Sequence, residues 1–294
     1  MSYDLFFRPR AGQPMPSTGE LGAWFAQRVH YTVGNGQAIY EHGDTGVYFI
    51  FDLPTAAGGD DADDAPSLAF NLNYARPGCF ALEAAPELEA LLARFAFDVE
   101  DPQIDGMDDG PYTREGFLRG WTAGNDVAVQ AFLADARTRS ELLTLPAATI
   151  QRVWEWNRAR KDLQARLGDD VFVPKISYVV HGGGVQTAAV WADGIPLALP
   201  PVEQLVLARD RLAPRRFLRR AEDVCLCAYA DAAPLLQRFA APSDGAPYLR
   251  LAYLEAPAEV TAFFRARAPA PQLAMVGVDR VLEAELIDRL RPRA

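Results

Sequence analysis

The segment Val171–Gly194 contains a His-Gly-Gly-Gly tetrapeptide directly after an apolar, β-branched run. Such a motif can supply the backbone N–H groups of an oxyanion hole, which serves a serine held in a Gly-x-Ser-x-Gly turn. The sequence has six serines, and none of them has a glycine both two residues before it and two residues after it. They are Ser2, Ser17, Ser67, Ser140, Ser177 and Ser243. The esterase interpretation therefore lacks a nucleophile. A tight hairpin turn at Gly182–Gly184, between strands at 172–180 and 185–191, is favoured instead.

Histidine and cysteine are scattered in the sequence. His30, His42 and His181 are isolated from one another, and the pair Cys225 and Cys227 lies in a predicted strand without neighbours to complete four zinc ligands. Neither a P-loop nor a Gly-x-Gly-x-x-Gly fingerprint occurs, because "VGNGQAIY" lacks the third glycine. We therefore expect no catalytic residues, no metal and no cofactor. The cysteines are interpreted as small core residues in a reducing compartment.

The net charge of −10 is distributed unevenly along the 294 residues. Residues 1–150 contain 22 acidic and 9 basic side chains, a net charge of −13, whereas residues 151–294 contain 17 and 20, a net charge of +3. An acidic half repels phosphates, so nucleic acid is not expected as a ligand. A basic protein partner would be attracted to the same half.

Two acidic clusters stand out, "GGDDADDAP" at 58–66 and "VEDPQIDGMDDGP" at 99–111. Neither has the ligand spacing of a calcium-binding loop. The first is typical of a solvated loop. The second follows a predicted strand and precedes a helix, so its carboxylates would be displayed on a better anchored loop. The carboxylates predicted to bind a partner are Glu100, Asp101, Asp105, Asp108, Asp109, Asp60, Asp61, Asp63 and Asp64.

The elements that position these residues predict an α+β fold. Residues 1–111 show strands at "SYDLFF", "TGVYFIFDL", "SLAFNLNYA" and "AFDVED" and helices after Ser17 and at 85–95. Ser17 and Glu20 have capping-box spacing. The order βαββαβ is that of the ferredoxin-like arrangement, with helices on one face of an antiparallel sheet.

A helical segment is predicted at 112–168, between the two domains. It carries Gly116, Gly120 and Gly124 four residues apart, a stripe that favours close approach of another backbone. Intramolecular packing is the preferred interpretation of the stripe, and a homodimer seam is the alternative. A second helix is expected from Thr144 to the stop at Gly168.

The second domain, 169–294, is predicted to be α+β and to begin with a β-meander that includes the glycine hairpin. Arginines concentrate at 209–223. Salt bridges to the acidic first domain and ordinary surface arginine are favoured over an anion-binding or nucleic-acid-binding patch for this cluster, because the protein is acidic overall. No aromatic residues interleave with the arginines in the way that single-strand binders require.

One resemblance extends over residues 1–130. The segments "MSYDLFF", "TGVYFIFDL", "LAFNLNYARPGCFALEAAPELEALL" and "GFLRGWTAGN" resemble bacterial immunity proteins that neutralise polymorphic or type VI secreted toxins. The resemblance implies a cytoplasmic protein that binds a cognate toxin and blocks it, with nucleases among the toxins. It assigns no individual residue.

The resemblance and the residues give one leading function and one alternative. An acidic half without a recognisable catalytic set is what a binder of a basic toxin would show. A carboxylate cluster can occupy a nuclease groove as a phosphate mimic. The alternative is a hydrolase-like enzyme or a small-molecule-binding protein with a pocket between the two domains. With no signal segment and no apolar span of 18 residues, neither export nor a membrane is expected.

Overall fold

The computed structural model describes residues 1–54, 67–103, 105–213, 215–216, 219–220, 223–242, 245–270 and 272–291; for 108–110, 215–216 and 219–220 it describes the backbone only. The chain divides into two compact units, Met1–Leu142 with Val278–Ala294, and Leu143–Gly277. These boundaries differ from the predicted 1–111, 112–168 and 169–294. The predicted connecting segment is shared between the units, and the end of the chain returns to the first.

Strands and helices of the first unit come mainly from the first half of the chain. In order they are β1 (Ser2–Pro9), α1 (Thr18–Ala26), β2 (Tyr31–Gly34), β3 (Gln37–Glu41), β4 (Tyr48–Asp52), β5 (Leu68–Asn73), α2 (Cys79–Arg94), β6 (Phe97–Asp101), β7 (Asp108–Gly110), α3 (Arg114–Ala134) and α4 (Ala136–Glu141).

The second unit and the returning segment follow. In order they are β8 (Leu143–Leu145), α5 (Ala147–Leu167), β9 (Ile176–His181), β10 (Gly184–Ala192), β11 (Ala198–Leu199), β12 (Gln204–Arg209), β13 (Arg215–Arg216), β14 (Arg219–Arg220), β15 (Asp223–Ala228), α6 (Tyr229–Arg238), β16 (Leu249–Arg250), α7 (Ala258–Arg265), β17 (Met275–Val276), a 3₁₀ turn (Val278–Arg280), β18 (Val281–Glu283) and α8 (Ala284–Leu290).

The main sheet of the first unit is antiparallel, with strand order β2-β3-β4-β5-β1-β6-β7 in its described part. Strict alternation in β1 buries Tyr3, Leu5 and Phe7 and places Asp4 and Phe6 on the opposite, partly exposed face. The inner face carries an aromatic core, since Phe49, Phe51, Phe70 and Phe97 are almost fully buried. The predicted α+β class is confirmed.

Two features of this sheet were not predicted. The hairpin β2–β3 extends one edge, and β7 extends the other beyond β6. Helix α2 begins at Cys79, not at the predicted residue 85, because Phe80, Ala84, Leu88 and Leu91 form one continuous buried face. The predicted cap of α1 is confirmed: the Ser17 side chain accepts from the Glu20 N–H, and Glu20 accepts from the Ser17 N–H.

The segment from Val278 onward, which belongs to the first unit, supplies one wall of a hydrophobic cluster there. Leu282, Leu286 and Ile287 pack with Val129 and Leu133 of α3. In the same segment, the Glu283 carboxylate accepts from the Gly78 N–H at 2.7 Å, where α2 begins. An anionic group at a helix N-terminus is favourable because the first N–H groups lack helical partners.

The second unit contains a five-stranded sheet of order β15-β12-β10-β9-β17. The predicted helix ending at Gly168 is confirmed as α5, whose C-cap has φ +75°. The predicted β-meander holds only for the hairpin β9–β10, because the following strand β12 pairs parallel to β10. A parallel neighbour requires a crossover, here the segment through β11, so the chain cannot continue as a meander.

Arg209 is a buried charge with every partner supplied from within the second unit. Its guanidinium forms a bidentate pair with Asp223 at 2.6 and 2.8 Å and donates to the carbonyls of Phe264 and Arg267 at 2.8 and 3.0 Å. The two carbonyls lie in the last turn of α7 and just beyond it, where carbonyl groups lack the regular helical partner four residues ahead. Arg209 therefore forms a salt bridge, but its partner is Asp223 of the same unit, whereas the prediction for the cluster was salt bridges to the acidic first domain. Among the described residues, no helix combines the length and apolarity needed to cross a membrane.

Candidate functional site

The His-Gly-Gly-Gly motif forms the turn of the β9–β10 hairpin, which confirms the predicted turn. Gly182 and Gly183 have φ of +61° and +84°, and His181 pairs with Gly184. His181 is exposed, and a Cβ at either turn glycine would meet nothing within 4 Å. The glycines are needed for backbone conformation, as two-residue hairpin turns require.

His30 and His42, far apart in the prediction, stack on each other in the first unit. Their ring centroids are 3.9 Å apart with an interplanar angle of 23°. The Nδ1 atom of His42 accepts from the backbone N–H groups of Asp44 and Thr45 at 3.2 and 3.3 Å. His42 therefore orders the turn before β4. Among the described residues, no group of three or more His, Cys, Asp or Glu side chains is arranged to hold a metal ion.

The predicted acidic loop at 99–111 is a β-hairpin. Glu100 and Asp101 belong to β6, and Asp108 and Asp109 belong to β7, with the register Glu100↔Asp109 and Asp101↔Asp108. Glu100 is partly exposed and pairs with Arg8 at 2.6 Å. Four of the predicted carboxylates lie outside the described residues: Asp60, Asp61, Asp63 and Asp64.

The expectation that Asp101 is displayed on the surface is wrong, since only 4% of this residue is exposed. Its carboxylate accepts a hydrogen bond from the Tyr3 hydroxyl and from the backbone N–H groups of Gln103 and Met107 at 3.1 and 2.8 Å. A carboxylate can be buried when several donors satisfy it. Asp101 therefore anchors the connection between β6 and β7, which presents Asp105 to solvent.

This connection forms one wall of an open groove of about 630 Å³ in the first unit. The start of β1 and the residue after β5 form a second wall, and one face of α3 forms the third. The polar lining comes chiefly from Asp4, Tyr74, Gln103 and Asp105. Asp105 was among the predicted binding residues; Asp4, Tyr74 and Gln103 were not.

The polar groups on the floor of the groove are linked to one another. Asp4 accepts from the Asn71 side-chain amide at 2.5 Å and from the Ser2 hydroxyl at 3.2 and 3.3 Å. The Tyr74 hydroxyl donates to Oε1 of Gln103 at 3.3 Å. Burial, followed by the carboxylates of Asp4 and Asp101, raises the pKa of Tyr74 to about 12. The two carboxylates thus add to burial in disfavouring ionisation of the Tyr74 hydroxyl.

The glycine stripe of α3 packs within the first unit, as the preferred interpretation predicted. A Cβ at Gly120 would lie 2.8 Å from the Tyr3 hydroxyl and 2.9 Å from the Cα of Gly106. At Gly124 it would overlap the Tyr74 ring and hydroxyl. The stripe lets α3 approach these groups closely, and two of its glycines, Gly120 and Gly124, line the groove.

No family model matches the sequence. No curated protein and no solved structure is significantly similar to it either. The groove is therefore interpreted from its own chemistry.

The groove also has an apolar side. Met1 and Val127, which both line it, are 75% and 63% exposed, and Ala123 lies one turn before Val127 on α3. Exposed apolar side chains beside carboxylates form an amphipathic surface. Such a surface is chemically complementary to a group that has both a cationic end and an aliphatic part.

Proposed function

We propose that the protein is an immunity protein that binds and neutralises a cognate secreted antibacterial toxin, with a nuclease as the favoured toxin class. The observation that carries the proposal is the groove of the first unit, where the carboxylates of Asp4 and Asp105 stand beside exposed Met1 and Val127. Carboxylates around a partly apolar centre match the composition of protein-binding surfaces for basic partners.

Charge in the first half of the chain supports the same role. Residues 1–150 carry a net charge of −13, and a nuclease needs positive charge around its substrate groove. Opposite charges accelerate encounter and discriminate against wrong partners. The proposed partner is thus a basic protein, and neither nucleic acid nor a membrane is a proposed ligand.

The β6–β7 hairpin extends the proposed surface beyond the groove. Register places Glu100 opposite Asp109 on neighbouring strands, and β7 lies at the end of the described sheet order. The register brings a second acidic residue next to the partly exposed Glu100, which would attract a basic partner to this edge. Acidic residues on an edge strand also oppose pairing with other chains.

We also propose a ferredoxin-like core for the first unit and a cytoplasmic location for the protein. The antiparallel order β4-β5-β1-β6, with α1 after β1 and α2 before β6, supports the ferredoxin-like assignment. Buried cysteines without disulfide partners, Cys79, Cys225 and Cys227, are compatible with a reducing compartment.

Association kinetics with the product of the neighbouring gene test the immunity function. We expect binding whose on-rate falls as salt rises, because charges beyond a Debye length of about 8 Å are screened at physiological ionic strength. Neutralising Glu100, Asp105, Asp108 and Asp109 to Gln or Asn should slow association and leave dissociation nearly unchanged.

The matched control removes the same number of charges from exposed positions of the second unit. Its substitutions are Asp162→Asn, Asp169→Asn, Asp170→Asn and Glu255→Gln. The control should associate at nearly the parental rate. Failure of the neighbouring product to bind would contradict the immunity function, whereas equal on-rates in both variants would contradict this binding surface.

A second candidate function is small-molecule binding, with or without hydrolysis. The specific observation that favours it is the groove volume of about 630 Å³, within the range of about 300–1,000 Å³ typical of ligand sites. The groove lies within the first unit, whereas the sequence interpretation placed a pocket between domains. A metabolite screen by thermal shift, repeated on Ala123→Leu to fill the groove, distinguishes this candidate from a protein-binding surface.

A further inference from the structure

We propose that the groove binds an arginine side chain presented by the partner protein, with its guanidinium at Asp4 and its aliphatic stem against Met1 and Val127. This inference rests on the proposed function and identifies the chemistry that the partner must supply. It concerns a single pocket, which shares Asp105 with the β6–β7 connection, whereas the other acidic residues of that hairpin would act at longer range.

The two carboxylates of the groove favour a ligand that donates hydrogen bonds. Asp4 and Asp105 contribute carboxylates, and Gln103 directs its carbonyl oxygen toward the Tyr74 hydroxyl. A carboxylate has about four acceptor positions, and the bonds from Asn71 and Ser2 leave capacity on Asp4. Arginine carries five N–H donors and no acceptor, which complements such a lining.

Within the described residues, no lysine, arginine or histidine side chain lines the groove, although Met1, which does line it, carries the cationic α-amino group. No lysine, arginine or histidine nitrogen of those residues lies within 4 Å of the carboxylates of Asp4 or Asp105, in contrast to Glu100, which pairs with Arg8. Burial and these acidic surroundings also disfavour ionisation of the Tyr74 phenol. An incoming cation would therefore meet negative potential that no described basic side chain has neutralised.

The apolar wall distinguishes an arginine side chain from a small inorganic cation. Met1, Ala123 and Val127 would gain nothing from a bare ion, but they would bury the three methylenes of an arginine. Guanidinium is more weakly hydrated than ammonium and forms bidentate pairs with carboxylates. The groove should consequently prefer arginine to lysine.

Nuclear magnetic resonance of the ¹⁵N-labelled full chain tests the proposal, with the peptides acetyl-Gly-Arg-Gly-amide, acetyl-Gly-Lys-Gly-amide and acetyl-Gly-Gln-Gly-amide as probes. We expect saturable shifts at the amides of Gln103, Gly120 and Gly124 with the arginine peptide. Binding should be weaker with the lysine peptide and undetectable with the glutamine peptide. Spermidine is a fourth probe, because a polyamine shares the cationic chemistry.

Asp4→Asn should weaken the arginine peptide about tenfold or more, the loss expected when a charge-assisted hydrogen bond is removed. The exposed Asp105→Asn, which leaves the buried network intact, should weaken it less. Asp98→Asn is the control, since Asp98 is exposed on β6 and pairs with Arg10 outside the groove.

The proposal is overturned by absence of saturable shifts, by equal binding of arginine and glutamine peptides, by unchanged affinity in both variants, or by spermidine binding tighter than the arginine peptide. If the neighbouring product binds but the arginine peptide does not, the arginine site is contradicted and the immunity function is not. If the arginine peptide binds but the neighbouring product does not, the immunity function is contradicted and the arginine site is not.

Discussion

The Tyr3 hydroxyl donates a hydrogen bond to the buried carboxylate of Asp101, joining the first strand to the base of the β6–β7 connection. Burial is the first cause, and Asp101 the second, of the raised pKa of Tyr3. The same carboxylate receives the backbone N–H groups of Gln103 and Met107. One buried acid therefore sets the shape of a groove wall that carries a different, exposed acid, Asp105.

Asp101→Asn should destabilise the protein by about 1–3 kcal/mol, because an amide has one acceptor oxygen and leaves a buried donor without a partner. Urea unfolding measures the effect. Asp98→Asn, exposed on the same strand, is the control and should change stability by less than about 0.5 kcal/mol. Equal stabilities of the two variants would contradict the anchoring role of Asp101.

Gly120→Ala should destabilise the protein by about 1–3 kcal/mol through overpacking, since the new methyl group would press on the Gly106 backbone. Gly19→Ala is a matched helical control in α1, where the nearest atom lies at 3.9 Å. There the substitution should be neutral or stabilising by up to about 1 kcal/mol. If Gly120→Ala behaved like Gly19→Ala in thermal unfolding, close packing at Gly120 would be disproved.

Burial raises the pKa of Glu283 above the ordinary value of about 4.3, although the Gly78 N–H opposes this shift. A carboxyl group whose pKa is higher in the folded state than in the unfolded state stabilises the folded state. This stabilisation is complete at pH values below the unfolded-state pKa and is lost as the pH rises through the folded-state pKa. Glu283→Gln keeps an acceptor for Gly78. Its stability relative to the parent should therefore increase with pH above about 4.3; a constant difference from about pH 4 to 8 would refute the effect.

Asp193 should behave in the opposite way. Burial acts to raise its pKa, but hydrogen bonds from the N–H groups of Arg211, Leu212 and Asp210 lower it overall. The stabilisation of the folded state by the Asp193 carboxylate is present at pH values above the unfolded-state pKa of about 3.9. It is lost as the pH falls through the folded-state pKa. Asp193→Asn isolates the carboxylate because asparagine tolerates the observed φ of +45°. The stability gap between parent and variant should close on acidification, as urea midpoints across the acid range would record.

Local patterns predicted the elements better than the site. Ser17 and Glu20 form the expected cap because both partners lie within one turn, and the turn at Gly182 and Gly183 follows from backbone conformation alone. The hairpin at Asn35–Gly36 was missed, although this dipeptide with both residues at positive φ is a strong hairpin signal. Gly34 and Gly36 also fit part of a nucleotide-binding fingerprint, which obscures the hairpin signal.

The candidate site depended on contacts that sequence spacing does not contain. Asp101 looked exposed because its donor Tyr3 lies 98 residues away. Asp4 was detectable in principle, since alternation in β1 buries Tyr3 and Leu5 and must turn Asp4 outward. Its convergence with Tyr74 and Gly124 depends on how α3 packs, which no local pattern specifies.

Because Leu282, Leu286 and Ile287 complete a cluster begun by α3, the first unit is encoded by two separated stretches of the gene. A ribosome that has finished residues 1–142 has made the groove residues but not the hydrophobic wall beside Val129 and Leu133. That wall is translated only after the entire second unit. The nascent chain must hold an incomplete core through this interval. Ordering of this part of the first unit is therefore tied to the translation of residues 282–287 and not to the emergence of its own strands.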